Sequence, residues 1–442
     1  MKRKLTRSSL FRSLEKVCNT ISEHRNSNAP NYKYPITSAA MTAFAAFYFQ
    51  LSSLRSHEQV LDQATYRHNF KNLFHREPIR NSQTLRNILD PIEHTSFIPA
   101  FDDVFRKLDR SGMFQELSFN PSVGLLFSGD GVDYFSSEEI SCNNCSCAHF
   151  SKENGEKRTL YSHKMFNVGI VHPSENMFIP LGPEFITPQD GKAKQDCEQA
   201  AAKRWLTSFR ERHKTVRATI QVDALHCNHD FLSMVKANRF HFIATCKPGN
   251  CKTMYEWIET ARRGNDIHKI EETTLTKGKK QRVIYEYLND VPIRDTEDSL
   301  RVNYISIKEI DPKSGKKIRQ FDYVTDICVK DKNVKALCIA GRKRWKVENE
   351  GHNTLKNQGY YFDHNYGHGK QNLSANIAML ILYSFLVHII LRLVAQDGLA
   401  NVYKNSHARR KCIELLRNMT EILKVQAWEE LYSNAMKALE KS

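Results

Sequence analysis

The first 26 residues hold seven Lys/Arg against two Glu but no apolar run of the length a secretory signal needs. No stretch reaches the roughly 20 apolar residues of a membrane span. The most apolar one, Ile377–Leu391, is too short, contains His388 and runs into Arg392, so it is expected to be a buried core helix. Cysteine shows no pairing framework: of 11, an odd number, only Cys142, Cys145 and Cys147 stand close together. That argues against a disulfide scaffold and for reduced thiols in a cytoplasmic setting. Acid is short relative to base, 49 Asp+Glu against 65 Lys+Arg, a net charge of +16. Such an excess suits a polyanionic partner, although it also suits a protein that charge merely keeps dispersed.

What is present is the composition of a globular chain, 40% hydrophobic and 26% charged. At 442 residues two to four domains are expected. Residues 1–30 read as a basic arm. Residues 1–115 read as a helical N-terminal domain, with Asn81 or Ser82 capping a helix through Leu85 and Leu89. This domain is either a DNA-end reader or a helical support without base contacts. From residue 118 the texture changes. Val123–Phe127, Thr159–Val171 and Met177–Ile186 read as strands, Lys194–His213 as a helix, and Val216–Val222, Asn228–Ala237 and Phe240–Cys246 as a βαβ unit. Three strands, a helix and βαβ give a mixed α/β sheet (α+β for the whole chain) with helices on its faces. The core is placed at 116–252 and 331–372. A β-rich insertion, 253–330, carries strands at Gln281–Leu288, Val302–Glu309 and Gln320–Val329. A helix over Asn333–Lys356 and a helical C-terminal region, 373–442, complete the chain.

The candidate chemistry lies in carboxylates. Asp130 and Asp223 each end a short apolar strand, where an open α/β sheet places its ligand crevice. Read alone, Asp130 also fits a Gly-Asp-Gly turn and Asp223 a helix N-cap. A third carboxylate comes from Gly341–Lys370, a stretch with helical spacing but no apolar face of ordinary width. At α-helical spacing Arg344, Glu348 and His352 share a face, with Lys356 a little further along, and Glu350 points elsewhere. Three clustered carboxylates repel one another unless divalent cations fill the pocket, and Mg²⁺ suits such oxygen ligands. Two ions, Mg²⁺ or Mn²⁺ in its place, would clamp the oxygens of an in-line displacement at phosphorus.

The segments GDGVDYFSSEEISC (129–142), YSHKMFNVGIVHP (161–173), IPLGPEFITPQDG (179–191), KQDCEQAAAKRWL (194–206), VDALHC (222–227), FIATCKP (242–248) and GRKRWKVENEGHNTLKNQGY with HNYGHGKQNLSA (341–375) carry a resemblance. Over about residues 81–373 the chain resembles the insertion-sequence transposases of the DDE type, the group with a β-rich insertion in a ribonuclease H-like catalytic domain. The resemblance implies catalytic, metal-holding roles for Asp130, Asp223 and Glu348. It implies binding of an element's terminal inverted repeats, Mg²⁺-dependent strand cleavage and strand transfer by the freed 3′-hydroxyl. The partner would be double-stranded DNA, element ends and target alike, held by a dimer or larger assembly in a nucleoid-associated cytoplasmic setting. The sequence departs from the family's Tyr-x2-Arg-x3-Glu-x6-Lys pattern: Gly341 stands in the Tyr place, and Lys356 falls one residue late. Val132 replaces the usual Thr after the first Asp-Gly, and Asp133 is a minor rival ligand. Two other readings remain: a catalytically inactive or domesticated DNA-binding protein, and a metal-dependent nuclease without strand transfer.

Cys142, Cys145, Cys147 and His149 lie within eight residues; they read either as a structural Zn²⁺ site or as reduced surface thiols. His226, Cys227 and His229 follow Asp223 and read as a polar loop more than as a site. Lys192, Lys194, Lys203 and Arg204 decorate the helix after the third strand. Arg342, Lys343, Arg344, Lys346, His352, Lys356 and His368 are the expected DNA contacts, with His364 as a further phosphate candidate. Among these Arg344 is expected beside the scissile phosphate, and Lys343 and Lys346 at general backbone positions. Trp345 reads as a core anchor rather than a base-stacking residue.

Overall fold

The computed structural model describes residues 5–120, 123–151, 155–188, 194–276, 279–394, 398–406 and 408–440. The described chain opens with helices α1 (Arg7–Cys18), α2 (Ile36–Tyr48), α3 (Leu54–Leu61), α4 (Ala64–Phe74), α5 (Ser82–Leu89), α6 (Ile98–Ser111) and α7 (Met113–Leu117). Local chemistry sets their ends. Thr6 and Ser53 begin α1 and α3 with reciprocal capping boxes. Asn81 caps α5 by accepting the Thr84 N–H at 2.8 Å. The Ala- and Phe-rich α2 has no polar face and is buried on nearly every side.

A single mixed sheet follows: β1 (Leu125–Ser137), β2 (Ser146–Ser151), β3 (Lys157–Val171), β4 (Phe178–Pro180) and β5 (Glu184–Ile186), then helix α8 (Lys194–Arg212), β6 (Ala218–Val222), α9 (His229–Ala237) and β7 (His241–Thr245). β3 runs antiparallel to β1 and takes β4 and β5 on its other side, whereas β6 and β7 run parallel to β1. α8 and α9 are the crossovers that parallel pairing requires. Helix α10 (Lys252–Gly264) and strands β8 (His268–Thr276), β9 (Lys279–Pro292), β10 (Arg301–Ile310) and β11 (Lys317–Thr325) form the insertion. The insertion does not stand apart. β11 pairs with β7, so the sheet runs on through it in the order β2-β3-β1-β6-β7-β11-β10-β9-β8. β1 also runs well past Asp130, and α10 is a helix where the sequence pattern suggested only strands.

The expected helix 333–356 is not one regular helix. α11 (Val334–Arg342) passes through a 3₁₀ turn, Lys343–Trp345, into a π-helical segment, Val347–His352, and resumes as α12 (Asn353–Asn357). Helices α13 (Leu373–Leu393), α14 (Gly398–Ser406), α15 (Arg409–Ile422) and α16 (Trp428–Leu439) end the chain. α13 is long and apolar enough to cross a membrane by length and composition, but 89% of its apolar window is buried within the protein. Tyr383 of α13 donates to the Leu10 carbonyl at 2.7 Å, and Trp428 of α16 to the Leu73 carbonyl at 2.9 Å. The helices of both chain ends therefore share one core, with Trp428 stacked on Phe49.

Candidate functional site

The parallel pairing of β1 and β6 ends at Ser128 opposite Gln221. Asp130, still within β1, and Asp223, the first residue past β6, lie two residues beyond that pair and within electrostatic reach of each other. Asp130 accepts a hydrogen bond from Arg344 Nη1 at 3.3 Å. Asp223 accepts from the Leu225 N–H and from His226 Nδ1, each at 3.0 Å. Burial, and then the charge of Asp223, push the Asp130 carboxyl above its ordinary range, although Arg344 works against them. Burial pushes Asp223 in the same direction, but His226, Arg344 and the Leu225 N–H together outweigh it, and Asp223 titrates low. The two acids thus have opposed proton affinities.

A third carboxylate, Glu198 of α8, is buried against this pair. Burial and the charges of Asp130 and Asp223 raise its pKa, while the Gly131 N–H beside it donates to Asp130 Oδ1 at 3.1 Å. A Cβ at Gly131 would collide with the Glu198 carboxylate, so glycine there allows its close approach. Glu198 was not singled out in the sequence, yet a signal existed. Glu198, Ala201, Ala202 and Trp205 fall at i, i+3, i+4 and i+7, all of them buried, which puts a carboxylate on an apolar stripe.

Asp130 and Glu198 open onto a cleft of about 1000 Å³ that Asp133, Glu348, His352 and Lys356 also line, while Asp223 is not among its lining residues. Glu348 and Lys356 therefore face the same space as Asp130. Glu350 instead lies in the electrostatic reach of Lys346 and Arg409. Asp133, the minor rival ligand, pairs with Lys164 at 3.6 Å.

The expected basic contacts divide. Arg344 is at the carboxylates and Lys356 at the cleft. Lys343 is half-buried. Arg342 is held by Glu309 at 2.6 Å and lies over the Phe321 ring. Lys346 is no phosphate contact: it is 1% exposed, and its ammonium donates to the carbonyls of His172 (2.8 Å), Pro173 (3.3 Å) and Glu175 (2.5 Å). His352 lines the cleft but is buried, and burial drives its pKa down to about 3, so it is neutral and a poor cation for phosphate. Trp345, expected in the core, is 40% exposed. Arg204 pairs with Glu184 at 2.7 Å. Lys192 and the side chain of Lys194 lie outside the described residues. His226 is buried against Phe231, and His229 accepts the Leu300 N–H at 3.0 Å. Cys227 is buried 3.7 Å from Cys251, sulfur to sulfur.

The cysteine cluster is rearranged relative to the expectation. Cys147 and His149 sit on the exposed strand β2, their Sγ and Nε2 atoms 3.8 Å apart, and they do not join Cys142 and Cys145. Their places are taken by His163 of β3 and by His368, expected as a DNA contact. The donor atoms of Cys142, Cys145, His163 and His368 all lie within 4.8 Å of one another, a set able to coordinate a metal ion. His163 is driven down to about 4 by burial and by His368, and burial lifts the Cys145 thiol to about 12. A scan against protein-family models matches none, and a search of curated proteins finds no match.

Proposed function

We propose that the protein is a DDE transposase that cuts DNA at the ends of its element and joins the freed 3′-hydroxyl to another phosphodiester. One observation carries the reading: Asp130 and Asp223 leave adjacent parallel strands at equivalent positions, and Glu348, from a helical segment more than 120 residues later, faces the same cleft as Asp130. The strand order supports it too. Three antiparallel strands, a helix and a parallel βαβ unit agree with a ribonuclease H-like core.

The donor set is all oxygen, and burial, followed by neighbouring carboxylate charge, raises the proton affinity of Asp130 and Glu198, which suits a hard divalent cation. Asp130, Asp223 and Glu348 would hold Mg²⁺, or Mn²⁺ in its place. The chemistry such ions would supply there is activation of the attacking oxygen and neutralisation of charge at the leaving oxygen. Arg344 fixes the Asp130 carboxylate and presents its remaining N–H groups to a phosphate beside it. His226 orients Asp223 through Nδ1. Lys356, on the cleft wall, contributes positive charge for the DNA backbone. Zn²⁺ is assigned to the thiol–imidazole cluster, whose four protein donors leave no open position for chemistry. The partner is double-stranded DNA, and joining two ends calls for a dimer or larger assembly.

The test is a supercoiled plasmid carrying the DNA that flanks the protein's own coding sequence, incubated with Mg²⁺. Excised and joined products support transposition, nicks alone indicate a nuclease, and a gel shift without cleavage indicates an inactive binder. Asp130→Asn, Asp223→Asn and Glu348→Gln should each abolish cleavage and keep DNA binding. Glu350→Gln should cleave normally; loss of activity in Glu350→Gln with full activity in Glu348→Gln would reverse the assignment of the glutamate.

A further inference from the structure

We infer that Cys142, Cys145, His163 and His368 form a tetrahedral Zn²⁺ centre that staples the loop after the glutamate-bearing helix to the wall of the cleft. The four residues come from three places far apart in the chain. Cys142 and Cys145 lie in the β1–β2 connection, His163 on β3 opposite Phe135, and His368 in the loop that leads into α13.

Four of the six distances among the donor atoms match the edges of a coordination sphere, and all six are within 4.8 Å. Zn–S of about 2.3 Å and Zn–N of about 2.0–2.1 Å give tetrahedral edges of roughly 3.8 Å for S···S and 3.5–3.6 Å for S···N. Here Cys142 Sγ and Cys145 Sγ are 3.9 Å apart, and both stand 3.5 Å from His163 Nε2. Cys145 Sγ is 3.4 Å from His368 Nε2. Two sulfurs and two imidazole nitrogens at this spacing select zinc over Mg²⁺ or Ca²⁺, which take oxygen. The two thiols are not a disulfide at this separation.

The surroundings suit a closed structural site. The Cys142 N–H points at Cys145 Sγ at 3.4 Å, an amide-to-sulfur contact that steadies a thiolate. Tyr134 stacks on His163, and Phe135 packs on both imidazoles, so the cluster has an aromatic shell. The His368 loop is positioned independently of any metal. Asp90 accepts the N–H groups of Lys370 (2.9 Å), Gln371 (3.0 Å) and Leu373 (3.0 Å), and Asn144 donates to the Gln371 carbonyl at 2.9 Å. Cys145 and the residues after it also line the cleft that Glu348 lines. A metal here joins the helical body, the sheet and the cleft wall.

The inference does not depend on strand cleavage, and its experiment needs no DNA. Protein purified without chelator should carry about one zinc per chain. Replacement by Co²⁺ should give the thiolate-to-metal charge-transfer and visible bands of a tetrahedral S₂N₂ site. Chelation should lower Tm, and added Zn²⁺ should restore it. Cys145→Ser and His368→Ala should each lose most of the metal, whereas Cys147→Ser and His149→Gln should keep it. His368→Ala serves where Cys145→Ser does not fold. Zinc-free protein whose Tm ignores added Zn²⁺ would overturn the inference. So would zinc that persists in His368→Ala, or zinc lost from Cys147→Ser as fully as from Cys145→Ser.

Discussion

Lys346→Ala separates a basic residue that holds the fold from one that holds DNA. The Lys346 ammonium is buried and donates to three carbonyls between His172 and Glu175, tying the start of the π-helical segment to the β3–β4 turn. Burial, followed by the charge of Lys343, depresses its pKa, and the carboxylates of Glu350 and Glu175 work in the other direction. Hydrogen bonds to a charged group contribute about 1.5–3 kcal/mol, and each carbonyl left without a partner costs about 1–3 kcal/mol unless water reaches it. Allowing for water entering the space of the lost side chain, a loss of about 3–5 kcal/mol follows. With an unfolding entropy of about 2.1 cal/mol/K per residue, a chain of this length that melts as one unit loses roughly 1 °C per kcal/mol, so Tm should fall by about 3–5 °C. Calorimetry reads that shift. Titration of a duplex of arbitrary sequence at several salt concentrations reads the other quantity. A lysine on a phosphate contributes close to one unit to the log–log salt slope, and for Lys346→Ala that slope should not change. An unaltered Tm together with a slope reduced by about one would refute this account and return Lys346 to the DNA surface.

Three further outcomes are expected. Arg344→Ala should lower the Mg²⁺-dependent cleavage rate at saturating protein far more than it weakens binding, because its partner is the Asp130 carboxylate; Lys343→Ala should chiefly reduce the salt slope, and full-rate cleavage by Arg344→Ala would count against the active-site role. Glu198→Gln should slow cleavage while leaving Tm within a few degrees, and Gly131→Ala, which displaces the same carboxylate, should resemble it; wild-type rates in both would make Glu198 a bystander. His57 is fully buried, its Nε2 has no partner, and burial holds its pKa down at about 3. Its folded value lies below the ordinary 6.5, so the stability tied to its neutral form is full above pH 6.5 and is lost as pH falls towards 3. At pH 5 that loss is about 2 kcal/mol, and His57→Phe, beside Tyr66 and Phe70, should remove it from the pH 7-to-5 stability difference in denaturant melts.

Where the sequence was legible, burial had left a pattern. β1, β3, β6 and β7 contain apolar runs because both faces of the sheet are covered there, and the parallel order β1-β6-β7 follows from the crossover helices α8 and α9. β2 carried no such signal: its residues are almost all exposed, so no alternation marks it. The same holds for the metal-ligand cluster. Cys142 and Cys145 are three residues apart and visible, but His163 and His368 reach them only because β3 pairs with β1 and the later loop is pinned on Asp90. Spacing along the chain therefore favoured the nearby Cys147 and His149, which strand geometry sends to the surface. Lys346 shows the opposite failure. A cation within a basic run looks like a phosphate contact unless the three carbonyls that enclose it are known.

The two misfits in the glutamate helix have local physical compensations. The resemblance places a lysine seven residues after Glu348, but residue 355 is leucine and Lys356 comes one later. An unbroken α-helix would turn Lys356 away by about 100° relative to the expected position. The segment Val347–His352 is π-helical, and such a turn takes up one extra residue. The Thr354 side-chain hydroxyl also reaches back over this turn, donating to the Asn349 carbonyl at 3.3 Å. Leu355 then falls in the core, fully buried, while Lys356 reaches the cleft that Glu348 lines. At the other end, Gly341 stands where the pattern has tyrosine, and a Cβ there would meet the ring of Tyr323 at 2.8 Å. Tyr323 comes from β11, the insertion strand that joins the core sheet through β7, and Arg344 lies in its electrostatic reach. A glycine is needed because an aromatic ring from the insertion already occupies that space. Both departures thus change how the positions around Glu348 are filled while leaving carboxylate, arginine and lysine about one cleft, which is what the proposed chemistry requires of them.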